Sequence, residues 1–213
     1  MKYKAVLFDM DGTLLDTLDD LRDGVNLMLA RRGYPLRTME EIRAFVGNGA
    51  RQLIRLAIPQ GTDAETVESV LTDYQQWYKE NYCIKTCPYD GVEKILAALS
   101  AEGVPMAVVT NKPDATARQL AEKFFPDLPA FGQKDEIPKK PAPDMVHNAL
   151  RELGVTVQDA VYVGDSEVDV ATARNAGLPL IAVSWGFRTR EQLRAAGAEM
   201  IVDTAEELWE CLR

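Results

Sequence analysis

Four stretches of the chain are apolar without interruption: Ala5-Val6-Leu7-Phe8, Met106-Ala107-Val108-Val109, Ala160-Val161-Tyr162-Val163 and Leu180-Ile181-Ala182-Val183. Unbroken runs of this length predict strands covered on both faces, as in a parallel sheet flanked by helices. Between them the apolar positions recur with a helical period, over residues 90–101, 113–124 and 143–153. In the last of these Met145, Val146, Ala149, Leu150 and Leu153 form one stripe. A further short helix is expected after Asp165, stopping at Gly177, a residue suited to a left-handed cap. Pro129-Ala130-Phe131 and Met200-Ile201-Val202 predict a fifth and a sixth strand.

Strands alternating with helices predict an α/β core, an open, doubly wound, Rossmann-like parallel sheet. Residues 16–87 interrupt that rhythm. They hold no convincing strand, and Val67, Val70, Leu71, Tyr74, Trp77 and Tyr78 fall at helical offsets. An aromatic stripe of this spacing reads as core packing. Turn signals at Gly33-Tyr34-Pro35, Gly47-Asn48-Gly49 and Pro59-Gln60-Gly61 divide the segment into several helices. The expected organisation is therefore a core of residues 1–15 plus 88–213, with residues 16–87 inserted after the first strand as an all-helical domain.

Charge narrows the function classes. The 213 residues include 24 Lys and Arg against 33 Asp and Glu, a formal net charge of −9. Such a balance argues against nucleic acid, which needs a concentrated basic surface. No apolar run approaches the ~18 residues of a membrane span. The start, MKYKAVLFD, lacks the apolar stretch of a secretory signal, and three cysteines make no disulfide framework. A cytoplasmic location is expected, as a monomer or homodimer.

In open α/β sheets ligands bind beyond the carboxyl ends of the strands. Here those ends carry Asp9 and Asp11, then Thr110 and Asn111, then Asp165. A single strand-end aspartate is most simply a turn residue; three strands delivering polar groups to one end form a site. If the chain stays extended, the two-residue spacing points Asp9 and Asp11 to the same side. Asp169 follows Asp165 by one helical turn, so both can face that site.

These residues carry a resemblance. DMDGTLLDT after a strand resembles the first motif of the haloacid dehalogenase superfamily, whose members are mostly phosphohydrolases. VVTNK, KKPAPD and VGDSEVD are similar to its second, third and fourth motifs, in the family's order and over nearly the whole chain. The place of the helical insertion matches the family's smaller-cap subclass. By this resemblance Asp9 is the nucleophile that forms an aspartyl-phosphate, and Asp11 is the acid that protonates the leaving oxygen and later takes a proton from water. The resemblance also implies Mg²⁺ held by Asp9, the backbone carbonyl of Asp11 and Asp165. Lys140 neutralises the phosphoryl oxygens and Asp9, while Thr110 and the Asn111 backbone bind phosphate. Asp169 holds the metal's waters or Lys140. The Lys-Pro-x-Pro pattern selects Lys140 over its neighbour Lys139, expected in solvent. Lys112 is open between adding positive potential to the site and lying at the surface.

Other chemistry is set aside on residues. His147, the only histidine, falls off the apolar stripe of its helix, and Cys83 and Cys87 lack partners for zinc or redox work. Trp185-Gly186-Phe187 reads as packing near the site. A dehalogenase would lack Asp11, and no lysine lies between Lys4 and Lys79 to form the Schiff base of a phosphonoacetaldehyde hydrolase. The insertion is expected to act as a lid that excludes water and admits small phosphorylated metabolites. Phe45–Arg51 resembles the cap segment of bacterial phosphoglycolate phosphatases, with Asn48 and Arg51 (or Arg55) as candidate substrate contacts. Gly47 and Gly49 read equally as a tight helix–helix turn. Asp90 in PYDGV departs from the proline frequent in relatives and bears on the hinge. The resemblance implies hydrolysis of 2-phosphoglycolate, with an inorganic pyrophosphatase or a β-phosphoglucomutase of the same fold as alternatives. A non-enzymatic phosphometabolite-binding regulator is the alternative of another class; it would need no nucleophile and acid together.

Overall fold

A computed structural model describes all 213 residues, Met1–Arg213. The chain divides into two compact units, Met1–Leu15 with Pro88–Arg213, and Asp16–Cys87.

The first unit is built on a six-stranded parallel sheet. Its first strand, β1 (Ala5–Phe8), is followed by the short β2 (Leu15–Asp16), where the chain leaves this unit. In the second unit four helices follow: α1 (Leu18–Arg31), α2 (Met39–Phe45), α3 (Ala50–Ala57) and α4 (Ala64–Asn81). The chain returns through β3 (Cys87–Pro88), which pairs with β2 as a two-stranded ribbon. The α/β alternation then resumes with α5 (Val92–Ala101), β4 (Met106–Pro113), α6 (Asp114–Phe124), β5 (Ala130–Gln133) and α7 (Asp144–Leu153). It ends with β6 (Ala160–Gly164), α8 (Glu167–Ala176), β7 (Leu180–Val183), α9 (Arg190–Ala196), β8 (Ile201–Val202) and α10 (Ala205–Leu212). No helix is long and apolar enough to cross a membrane.

The strand order is β5-β4-β1-β6-β7-β8, with every pairing parallel. From β1 the chain winds outward through β4 and β5, then returns to the other side of β1 for β6, β7 and β8. The direction reverses beside β1, and it is at the strands' carboxyl ends beside such a reversal that open α/β sheets bind ligands. Pairing of Phe8 with both Val108 and Val163 puts the end of β1 level with these residues, so Asp9 lies in register just before Thr110 of β4 and Asp165 after β6. Successive side chains of the central strands go to opposite faces. Leu7, Val109 and Tyr162 pack with Met145, Val146 and Ala149 of α7, whereas Phe8 lies with Val92, Ile95 and Leu96 of α5 and Leu208 of α10. Both faces are thus covered, which is why the strands read as unbroken apolar runs.

The inserted unit is helical, with the two-residue strands at its ends as the only departure from an all-helix reading. Helix α2 begins with a capping box between Thr38 and Glu41, and α4 with an Asp63 cap. Tyr74 and Tyr78 of α4 stack at 5.4 Å between ring centroids. Asp20, in the first turn of α1, is buried. Its carboxylate accepts the N–H groups of Ile84, Lys85 and Thr86 and the Thr86 hydroxyl, at 2.7–3.0 Å. The outgoing and returning segments of this unit are thereby tied together.

Candidate active site

The carboxyl end of β1 turns sharply. Strand geometry stops at Phe8, and the Met10 carbonyl accepts the N–H groups of Thr13, Leu14 and Leu15. Gly12 makes this turn at φ 88°, and a Cβ there would come within 2.3 Å of an Asp165 oxygen, so the position needs glycine for both backbone and space. The chain does not stay extended through residues 9–11, so the condition on which the two-residue spacing argument rested is not met. Asp9, the first residue past the strand, bonds through its N–H to the Val163 carbonyl at 2.9 Å, while Asp11 lies inside the turn. The two carboxylates face different lysines.

Lys140 lies at the centre, 1% exposed. Its ammonium donates to Asp169 Oδ1 at 2.8 Å and to the Tyr162 hydroxyl at 3.0 Å, and stands 2.8 Å from Asp9 Oδ1. The last contact is an ion pair outside hydrogen-bond alignment, and Asp9 Oδ1 is the one buried side-chain polar atom with no hydrogen bond. Two of the three ammonium protons are thus held by the protein; the third and Asp9 Oδ1 remain for a ligand. Asn111 fixes the backbone of this lysine. Its amide accepts from Lys140 N at 2.8 Å and donates to Lys140 O at 3.0 Å. That side-chain role was not foreseen in the sequence. Thr110 is buried beside it, and its hydroxyl oxygen accepts from Lys112 N at 3.3 Å.

Asp165 and Asp169 come from the β6–α8 junction. Ser166 caps α8 and Asp169 completes the capping box, so the helix start itself turns Asp169 toward the site. Both Asp169 oxygens are consumed, Oδ1 by Lys140 and Oδ2 by the N–H groups of Asp165 and Ser166 and the Ser166 hydroxyl. Asp165 Oδ1 accepts from the Thr13 hydroxyl at 2.9 Å and Oδ2 from Phe187 N at 2.7 Å. The Trp185–Phe187 segment therefore does more than pack: it orients a carboxylate. The Trp185 indole also donates to the Thr13 carbonyl at 3.1 Å, and a Cβ on Gly186 would come within 2.5 Å of Asp165.

Lys112 resolves to the interior. Its side chain is 3% exposed, with Nζ 3.0 Å from Asp11 Oδ1. Lys139 and His147 are exposed. In the inserted unit, Asn48 lies in the turn before α3, and Arg51, on the first turn of α3, is paired with Glu68 of α4. Tyr162, Thr13, Ser166 and Lys112 are the contributors that sequence reasoning missed or left open. A lone tyrosine in an aliphatic strand, which needs a buried partner for its hydroxyl, was the available signal for Tyr162.

The electrostatics follow from crowding three carboxylates around one ammonium. Burial, reinforced by the Asp169 charge and opposed by Lys140, pushes the Asp9 carboxyl up to about 7 from 3.8. Burial and the neighbouring Asp169 and Asp9 raise Asp165 well above the carboxylate range. For Lys140, burial lowers the ammonium, but Asp169 and Asp9 outweigh it and raise it well above 10.5. Ligand oxygens of Asp9, Asp165 and Asp169 lie within 4.8 Å of one another. An oxygen-only set carrying excess negative charge suits a hard divalent cation. The Asp9 oxygen without a hydrogen bond is a donor left for it. Asp169 Oδ1 accepts two bonds and Oδ2 three, whereas each Asp165 oxygen accepts one and keeps a lone pair, which makes Asp9 and Asp165 the available side-chain ligands.

A doubly wound sheet with this buried aspartate–lysine cluster at its switch point defines a hydrolase of the haloacid dehalogenase-like family. The family's model, "Haloacid dehalogenase-like hydrolase", matches residues 6–183, and the chain belongs to that family. It is 34% identical over 215 residues to the phosphoglycolate phosphatase of Xanthomonas campestris pv. campestris, covering 97% of this chain and 95% of the relative. It is 32% identical over 221 residues to the N-acetylmuramic acid 6-phosphate phosphatase of Pseudomonas aeruginosa, covering 100% and 96%. A crystal structure from Lactobacillus delbrueckii subsp. bulgaricus, provisionally assigned as a phosphoglycolate phosphatase, superposes with a TM-score of 0.94 at 39% identity, covering 100% of this chain and 99% of that one. The protein is a phosphoric monoester hydrolase of the haloacid dehalogenase-like family, acting on a small phosphorylated substrate.

Proposed function

We propose that this hydrolase cleaves phosphate monoesters whose leaving group carries a carboxylate, with 2-phosphoglycolate the first candidate. The observation that carries the chemistry is the buried Asp9 oxygen without a hydrogen bond, 2.8 Å from the Lys140 ammonium. Asp9 attacks phosphorus through its side-chain oxygen as the bond from phosphorus to the ester oxygen breaks. Asp11 gives its proton to that ester oxygen, then takes one from the water that hydrolyses the aspartyl-phosphate. Lys140, fixed by Asp169, Tyr162 and Asn111, holds Asp9 in place and directs its remaining N–H at a phosphoryl oxygen. Thr110 accepts the Lys112 N–H, which leaves its own hydroxyl proton for the phosphoryl group. Asp9, Asp165 and the Asp11 carbonyl would hold Mg²⁺. When bound, Mg²⁺ supplies positive charge against the repulsion between Asp9 and a phosphate dianion, roughly 4 kcal/mol for unit charges ~4 Å apart at an effective dielectric near 20.

The inserted unit, residues 16–87, serves as the cap that selects the leaving group, with Asn48 and Arg51 as contacts. Two relatives support the carboxylate, since glycolate and N-acetylmuramic acid both bear one. N-acetylmuramic acid 6-phosphate is accordingly the second reading. The test is a rate comparison with Mg²⁺ across phosphoglycolate, N-acetylmuramic acid 6-phosphate, pyrophosphate, sugar phosphates and nucleotides, with EDTA as control. A carboxylate-bearing ester is expected to have the highest kcat/KM. Preference for pyrophosphate or an uncharged sugar phosphate overturns the substrate class.

A further inference from the structure

We propose that Lys112 is a positioning residue for the reaction: it holds Asp11 where a proton can reach the departing oxygen. The proposal rests on the reading of Asp11 as the acid given above.

Asp11 has reason to move away. It sits in a turn rather than a strand, its side chain is 15% exposed, and its charge acts on the neighbouring Asp9. While Asp11 is ionised, before it takes up the proton it later gives, repulsion from Asp9 and solvation both favour an outward rotamer. Lys112 opposes them with an ammonium 3.0 Å from Asp11 Oδ1 on a side chain 3% exposed. A long, charged side chain is seldom buried to this degree without a charge to meet.

The sheet is deformed to deliver this lysine. Strands β4 and β5 pair at Val109–Phe131 and next at Pro113–Gln133, so β4 spends four residues where β5 spends two. Such a bulge re-aims side chains and is frequent beside active sites. In a regular strand Asn111 and Lys112 would point to opposite faces. Here both reach the site, Asn111 on the Lys140 backbone and Lys112 on Asp11. The bulge is secured from β5: a Cβ on Gly132 would come within 2.8 Å of the Lys112 carbonyl and 2.4 Å of Asp114 Cα, and Gly132 N donates to Asp114 Oδ1 at 3.1 Å.

An alkoxide leaving group needs the acid's proton as its bond to phosphorus breaks; p-nitrophenolate departs without one. Lys112→Met and Lys112→Gln are therefore compared with the wild type on two substrates, the best alkyl phosphate and p-nitrophenyl phosphate, with Mg²⁺. A misplacement of about 1 Å costs on the order of 10²-fold, so kcat/KM, which covers the steps up to the aspartyl-phosphate and not the later one in which Asp11 is the base, is expected to fall by about that factor on the alkyl ester and by less than about threefold on p-nitrophenyl phosphate. The ratio of the two is taken on one preparation, so a partly unfolded sample does not alter it. In an Asp11→Asn background, Lys112→Met is expected to change the alkyl rate no further, because its effect passes through Asp11. Equal losses on both substrates, no loss, or an additive loss in the double variant overturns the proposal. If Asp11→Asn itself lowers both substrates equally, the acid assignment fails instead. If Asp11→Asn discriminates and the Lys112 variants do not, only the role of Lys112 fails.

Discussion

Removing the cation should make this protein less stable as pH rises. In the metal-free chain the Asp9 carboxyl is raised to about 7 from 3.8, first by burial and then by Asp169, and Asp165 is raised in the same direction. A carboxyl raised in this way keeps its proton in the folded state after the unfolded chain has lost it. The folded state then binds more protons between about pH 4 and 7, and its stability declines through that window. Each pKa unit corresponds to ~1.36 kcal/mol. About two units lie between pH 5 and 7, so Asp9 alone removes roughly 3 kcal/mol, or about 6–12 °C in Tm for a chain of this size. Thermal unfolding in EDTA at pH 5, 6, 7 and 8 reads this directly, with Asp9→Asn as the reference that cannot titrate. The wild type is expected to lose Tm relative to that variant as pH rises, and Mg²⁺ to restore more at pH 8 than at pH 5, since ions displace fewer protons there. At a hundred times its Kd the ion contributes about 2.7 kcal/mol. Parallel pH curves for wild type and Asp9→Asn, or a Mg²⁺ increment independent of pH, would refute the electrostatic account of the cluster.

Three more outcomes follow from the same geometry. Asp9→Asn is expected to abolish turnover, at least a 10³-fold loss, while its circular dichroism matches the wild type; steady-state phosphate release measures it. Asp169→Asn strips one carboxylate from a buried ammonium and offers an amide N–H₂ to groups that are all donors. It should cost about 3–5 kcal/mol in urea unfolding. Gly186→Ala places a methyl group within 2.5 Å of Asp165, so the apparent Mg²⁺ affinity in an activity titration should weaken by about 10–100-fold, the range for losing a ligand-orienting partner.

The central sheet was legible because β1, β4, β6 and β7 are buried on both faces and leave no alternation to confuse with a helix. Helix stops were equally plain where a glycine takes the left-handed cap, as at Gly177 after α8. What the periodicity did not carry was backbone irregularity. The turn at Met10–Leu15 and the bulge of β4 depend on contacts distant in sequence, Gly12 against Asp165 and Gly132 against Asp114. Local pattern therefore left the course of Asp9–Asp11 conditional on an extended chain and ended β4 at Val109, whereas the strand runs to Pro113. Lys112 was ambiguous for the same reason: the bulge of β4 decides whether this lysine faces water or the site. The links from Asn111 to Lys140 and from Phe187 to Asp165 join separate loops, and no spacing rule encodes them. Chemistry-bearing residues at strand ends are visible in a single sequence; the partners that orient them emerge only from the fold.

The Asp20 clamp has a bearing on how this architecture diversifies. By fastening residues 84–86 to the base of α1, it brings the two ends of the insert together through that insert's own hydrogen bonds. The sheet need only supply two neighbouring points of attachment, so the entropic cost of closing a 72-residue excursion falls on the insert rather than on the host. An excursion spliced in this way behaves as a cassette. With residues 16–87 in the proposed role of a cap, its surface can be altered without renegotiating the packing of the sheet beneath Asp9.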